Sequence, residues 1–189
     1  RFLNCIGGYT RSKFTYSFAA AEAMVPHILG SYRAYLDTCT SWDLIKNSTE
    51  LFVCFGGVPL KNGQICQGGT GNHYQKESII SAASSGIEFV NVSPLKSDLM
   101  DEAGGKWLSL RPNTDTALML GIAHTLHIEG LSDKDFLNKY TEGFDIFLNY
   151  LIGFSDGIQK DANWASEICD IPANEIRELA RRMVSNRTM

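Results

Sequence analysis

Basic charge, paired cysteines and long apolar runs are all scarce in this 189-residue sequence, and each scarcity removes a class of function. Seventeen Lys and Arg against 21 Asp and Glu leave a formal charge of −4, and only Arg181-Arg182 are adjacent. The concentrated basic face that a phosphate backbone requires is missing, so nucleic acid is not an expected partner. Cys5, Cys39, Cys54, Cys66 and Cys169 form no CxxC pair and are odd in number. That argues against a zinc site or a disulfide framework and for reduced thiols in a cytoplasmic setting. His27, His73, His124 and His127 belong to no HExxH or acid-bearing cluster, so they read as core or boundary residues rather than metal ligands. No apolar run approaches the roughly 18 residues of a membrane-spanning helix, and no membrane insertion is expected. Internal repeats and low-complexity tracts are also missing.

What the sequence has in quantity is apolar residue, 44% of the chain, which suffices for a substantial core. Three apolar runs stop abruptly at polar loops. Leu51-Phe52-Val53-Cys54-Phe55 ends at Gly56-Gly57-Val58-Pro59, Ile87 to Val92 ends at Ser93-Pro94, and Trp107 to Leu110 ends at Arg111-Pro112-Asn113-Thr114-Asp115. Such runs read as buried strands. A glycine-loaded loop, 63–71, and a helix from about His73 to Ser85 separate the first two, which makes a βαβ unit and a parallel sheet. The three loops then share one edge, where open α/β sheets bind ligands. The fold class is α/β: a parallel Rossmann-like sheet with flanking helices, followed by a helix-rich C-terminal segment.

Helical signals fill the remainder. One helix is expected after Ser17, kinked or restarted at Pro26 and ending near Gly30. Others begin at Ser41, at Thr114 with apolar residues almost all round, and at Phe144, where Phe147, Leu148 and Leu151 repeat at helical spacing. A last helix follows Pro172, with Glu178 and Arg182 placed for an i,i+4 pair.

Chemistry is expected at the shared edge. The loop Arg111 to Asp115 precedes a long helix, so its N–H groups and the helix dipole suit a phosphate or a base edge. The competing reading is plain capping by Asn113 or Thr114, with Asp115 in the first turn. Gly56-Gly57 permits close backbone approach by a ligand without being a GxGxxG fingerprint. Ser93 occupies a position where nucleotide-binding sheets often carry an acid for ribose hydroxyls; the competing reading is a turn residue before Pro94.

Taken together, seven segments resemble the molybdopterin-dependent dimethyl sulfoxide, trimethylamine N-oxide and biotin or methionine sulfoxide reductases. They are Tyr16-Ser17-Phe18-Ala19-Ala20, Thr40-Ser41-Trp42-Asp43, Phe55 to Lys61, Val92-Ser93-Pro94-Leu95, Arg111 to Leu120, Gly153-Phe154-Ser155-Asp156-Gly157 and Trp164 to Cys169. Their order matches along essentially the whole chain. The resemblance implies a much longer enzyme, of which this chain is a piece, built round molybdenum in a bis(molybdopterin guanine dinucleotide) cofactor. It implies a sulfoxide or N-oxide substrate, and electrons from a donor protein or an NADPH-linked reductant. By resemblance, Ser17 supplies an alkoxide to the metal, a hard donor suited to a high-valent ion. Gly57 and Lys61, Ser93, and Asn113, Thr114 and Asp115 hold the guanosine and pyrophosphate of one cofactor half. Residues 1–50 then form the metal-ligand loop and leading helices, and 51–189 a dinucleotide-binding-like α/β domain, a piece not expected to turn over alone. The chain departs from the family pattern at Phe18-Ala19, at Val58 before Pro59, and at Ser93, which replaces a usual Asp. A non-catalytic α/β nucleotide-binding or interaction module is the alternative function. A twin-arginine leader ahead of Arg1 would move the expected compartment from cytoplasm to periplasm.

Overall fold

The computed structural model of the chain describes residues 2–11, 13, 18–63 and 71–189. Two compact units divide it, Arg1–Ser41 and Trp42–Met189. In the first, α1 (Phe2–Cys5), α2 (Ala19–Leu29) and α3 (Tyr32–Asp37) are helical. Pro26 is accommodated inside α2, and Gly30 closes that helix at φ +83°, its N–H donating to the Pro26 carbonyl. Ser31 accepts the Ala34 N–H at 3.1 Å and so caps α3, a short helix the apolar pattern does not announce. The Ser17 position lies outside the described residues.

The second unit contains α4 (Trp42–Ser48), β1 (Leu51–Phe55), α5 (Gln75–Ser84), β2 (Glu88–Ser93) and β3 (Lys106–Ser109), then α6 (Asp115–Ile128), α7 (Lys134–Tyr140), α8 (Phe144–Leu151), α9 (Ala162–Cys169) and α10 (Ala173–Ser185). The strands lie in the order β1-β2-β3 and both pairings are parallel, with Val53 opposite Val90 and Ser93 opposite Ser109. Their carboxyl ends therefore share one edge, as the three loop signals imply. The link from β2 to β3 contains no α-helix: two 3-10 turns, Lys96–Asp98 and Asp101–Ala103, carry the chain across. On the free side of β1, Thr188 forms a parallel bridge with Leu51, and Val53 N–H donates to the Met189 carbonyl at 2.8 Å. The direction of chain progression across the sheet thus reverses at β1.

Side chains alternate between two cores. Leu51, Val90, Val92 and Leu108 face Leu118 and Ile122 of α6, Ala165 of α9 and Ile176 of α10. Cys54 and Phe89 face Ile45 of α4 and Ile79 and Ala82 of α5. Both faces of the sheet are covered, which is why its strands read as apolar runs without alternation. Fully burying each such aliphatic side chain contributes about 1.5–3 kcal/mol. The charged surface differs from expectation at one point: Arg182 reaches across to Glu88 at the start of β2, at 2.7 Å, as an ion contact without aligned hydrogen-bond geometry, instead of pairing with Glu178. Arg181 binds Glu129 at the end of α6, tying α10 to it, and that contact depresses the Glu129 pKa.

Gly121 explains how closely α6 and α9 pack. A Cβ at that position would lie 2.7 Å from the Ala165 Cβ and 3.3 Å from Ile176 Cγ2. Gly121→Val should therefore lower stability by about 1–3 kcal/mol through overpacking, read as a reduced denaturation midpoint with an unchanged denaturant slope.

A second lock holds residues 153–160. Lys160 is buried, yet its ammonium donates to both oxygens of Asp156 (2.9 and 2.8 Å) and to the Ile158 carbonyl, and it lies 4.2 Å from the Tyr150 ring centroid. The Asp156 pKa is depressed, first by the Lys160 hydrogen bond and then by the Ile158 N–H. A depressed carboxyl contributes stability above its unfolded-state pKa and loses it as pH falls through the folded-state value. Lys160→Met should lower Tm by several degrees at pH 7. That difference should shrink as the pH falls below the ordinary aspartate range, in thermal melts run from pH 7 to 3.

Candidate functional site

The loops that leave β1 and β2 are joined at Asp98. Gly56 and Gly57 take φ of +83° and +76°, turning the chain sharply off the end of β1. The Val58 N–H then donates to the Asp98 carbonyl at 2.7 Å. A Cβ on Gly57 would lie 2.4 Å from the Asp98 Cβ and 2.5 Å from its carbonyl oxygen, whereas nothing lies within 4 Å of one on Gly56. The close backbone approach expected of a ligand at Gly57 is thus made by the neighbouring loop. From below, Asn91 donates to the Leu95 and Lys96 carbonyls at 3.4 and 3.1 Å and pins the start of that loop.

Ser93, wholly buried, donates its hydroxyl to Asp98 Oδ2 at 2.5 Å and accepts the Leu95 N–H at 3.3 Å. Its place at the end of β2 is as the sequence suggests, but its hydroxyl is engaged. The half-buried side chain above it is Asp98. Asp98 and Lys61 line one crevice of about 250 Å³ together with Pro59, Leu60, Ser97 and Met100. Lys61 comes from the 3-10 turn Leu60–Asn62 that follows β1. Among the described residues no ion pair joins the two charges, and Lys61 has no hydrogen-bond partner. The structure thus brings Gly57, Lys61 and Ser93 together through a residue that motif reading passed over. The available signal was modest: Asp98 is the one acid between Ser93 and Met100.

Asn113, Thr114 and Asp115 sit at the same edge, beyond β3, and do not line this crevice. Two strand spacings of about 4.8 Å put β3 roughly 10 Å from β1. Plain capping does not describe this loop. Asn113 is left-handed (φ +62°), and the Thr114 hydroxyl donates back to the Arg111 carbonyl at 2.6 Å, so α6 has no side-chain cap. The N–H groups of Asp115 and Thr116 have no acceptor among the described residues, leaving the positive end of α6 facing outward. Arg111 anchors the loop on Asp170 through Nε (3.0 Å) and Nη2 (2.7 Å), while its N–H donates to the Cys169 carbonyl at 3.0 Å.

Other groups are chemically quiet. Burial pushes the Cys54 thiol on β1 up to about 12, so it stays protonated and unreactive. Burial also lowers the His124 pKa, against the opposing field of Asp161, and keeps that imidazole neutral inside α6. Among the described residues no three His, Cys, Asp or Glu side chains gather to hold a metal, and no helix is long and apolar enough to cross a membrane. A larger cavity of about 640 Å³ lies among α6, α7 and α8 and is lined by Leu126, Phe136, Phe144 and Phe147. It sits toward the far end of α6 and carries none of the loop groups, so the smaller, charged crevice is the candidate site.

These features define a class: an open parallel α/β domain with a charged crevice at the carboxyl ends of its strands. Over its whole length the chain is similar to a segment of the dimethyl sulfoxide, trimethylamine N-oxide and biotin sulfoxide reductases, which bears out the resemblance carried by its motifs. It is 42% identical over 189 residues to a dimethyl sulfoxide/trimethylamine N-oxide reductase of Cereibacter sphaeroides, covering 100% of this chain and 23% of that protein. A biotin sulfoxide reductase of the same organism is 40% identical over 189 residues, with 25% of its length covered, and the trimethylamine-N-oxide reductase of Haemophilus influenzae is 39% identical over 192 residues. The chain spans about a quarter of the length of these relatives. Among solved structures, acetylene hydratase from Pelobacter acetylenicus superposes with a TM-score of 0.53 at 22% identity, covering 71% of this chain and 16% of that one, a likeness of fold. No protein-family model matches the chain.

The glycine pair supplies a test of the interlock. Gly56→Ala should cost about 1–2 kcal/mol, the left-handed backbone penalty alone. Gly57→Ala should cost more, because it also displaces Asp98 and breaks the bond from Val58. Chemical denaturation of the two variants side by side checks the order.

Proposed function

We propose that this chain is the nucleotide-holding α/β part, with the preceding metal-ligand segment, of a molybdenum oxidoreductase that removes an oxygen atom from sulfoxides or N-oxides. The observation that carries this reading is the end-to-end match to three named reductases of that kind, spanning both the Ser17 segment and the sheet-edge loops. The donor set fits a bis(molybdopterin guanine dinucleotide) cofactor. The Lys61 ammonium, unpaired among the described residues, meets a phosphate as a point charge. The uncapped N-terminus of α6 suits anionic or carbonyl oxygen, and Asp115 accepts from base N–H groups. Gly57 keeps the β1 loop closed on Asp98, and Ser93 orients that carboxylate. Ser17 would hold the metal as an oxygen ligand. When bound, the cofactor supplies the two-electron oxygen-atom chemistry, and the chain's own residues bind it, orient it and balance its charge. Reducing equivalents come from a donor protein or an NADPH-linked reductant. A cytoplasmic location is proposed on the cysteine pattern; a twin-arginine leader in the full-length protein would place it in the periplasm.

Molybdenum close to one per chain is expected in the full-length protein, and none under adequate cofactor supply would favour the non-catalytic nucleotide-binding module. Ser17 tests the reading at one atom. A merely capping serine costs on the order of 1 kcal/mol when replaced by alanine and leaves the metal's spectrum alone. As a ligand, Ser17→Ala should change the molybdenum electron paramagnetic resonance signal and sharply reduce turnover. Ser17→Cys should keep near-normal metal content with a shifted signal. Parent spectra and rates in both variants would refute the ligand role.

A further inference from the structure

We propose that Asp98, supplied from the 3-10 turn beyond β2, is the group that recognises the vicinal sugar hydroxyls of a nucleotide lying across the crevice, with Ser93 as its positioning residue. This rests on the nucleotide-holding reading above and assigns it a residue that neither the strand-end pattern nor the motifs identify. Three observations carry it. First, Asp98 is fixed on two sides: its backbone carbonyl accepts the Val58 N–H, and its Oδ2 accepts the buried Ser93 hydroxyl at 2.5 Å. One carboxylate oxygen is thereby held, while Oδ1 has no hydrogen-bond partner among the described residues. Second, Asp98 shares its crevice of about 250 Å³ with Lys61, and no ion pair joins them among the described residues. Opposite charges that share a crevice without pairing suit a ligand carrying both an anionic group and hydroxyl donors, as a nucleoside diphosphate does. Third, the end of β2 itself carries Ser93, whose hydroxyl is buried and engaged, so the acid that a nucleotide-binding sheet uses at this place comes from five residues further along. An ionised acceptor discriminates a diol from its deoxy analogue more strongly than a neutral hydroxyl does.

The test uses the full-length protein purified from cells unable to make the molybdenum cofactor, with GDP and 2′,3′-dideoxy-GDP as calorimetric probes. The parent protein should bind GDP more tightly by roughly tenfold or more, the range of a hydrogen bond to a charged group. Asp98→Asn keeps the side-chain shape and an acceptor for Ser93, so its melting temperature should stay near the parent's while the preference for GDP collapses. Ser93→Ala should retain a reduced preference, since the carboxylate remains. A parent-like preference in Asp98→Asn, or a preference abolished only by Ser93→Ala, would overturn the assignment to Asp98 and leave the nucleotide-holding reading standing. Failure of the parent protein to bind either probe would overturn both.

Discussion

The contact between the β1 and β2 loops at Asp98 is the constraint on which the sheet edge depends. A parallel strand pair delivers two loops to the same side of the sheet, but nothing in the strand pairing decides how those loops meet. Here the meeting is fixed by three independent requirements at one residue: a backbone acceptor for Val58, a carboxylate over Ser93, and a Cβ that tolerates only glycine opposite it. The first and third are met by the backbone and Cβ of any non-glycine residue, and the second by a side-chain acceptor held over Ser93. The result is a crevice at the end of the strand where chain progression reverses, the place at which α/β sheets present bound ligands.

Two positive groups at this edge are not neutralised by side chains among the described residues. Among the described residues Lys61 has no partner, and α6 has no side-chain cap because Thr114 turns its hydroxyl back to Arg111. Both choices forgo a modest stabilisation, on the order of 1 kcal/mol for a helix cap, and leave positive potential facing outward. Some charges are paired: Arg111 with Asp170 at the edge itself, and Arg181 with Glu129, Lys160 with Asp156 and Lys106 with Glu175 elsewhere. Among the described residues, Lys61 and the α6 N-terminus are the positive groups of this edge that suit an anionic ligand.

Much of the frame was legible from residue order. A strand buried on both faces must be apolar at successive positions, so Leu51 to Phe55 and the run to Val92 declared themselves, and their Gly/Pro stops located the edge. Gly57, Lys61 and Ser93 were named through the family resemblance, Gly57 and Ser93 also as residues that follow apolar runs, and the structure sets all three around Asp98 at this edge. Asp98 was missed because its role comes from a long-range backbone bond to Val58 that no local pattern encodes. The short helices α3, α7 and α9 were missed for a related reason. Each is started by a capping side chain, Ser31, Asp133 or Asp161, and is too short for a periodic apolar stripe to stand out. The expected Glu178–Arg182 pair failed because Glu88 offered Arg182 a partner from another element, again a fact of tertiary structure.

The most direct measurement of the central claim is a crystal structure of the full-length protein with its native nucleotide-bearing group bound. A phosphate oxygen is expected within hydrogen-bond distance of Lys61 Nζ and sugar hydroxyls on Asp98 Oδ1, with the Ser93 contact intact. A nucleotide seated away from the crevice, with Lys61 and Asp98 left in solvent, would contradict it.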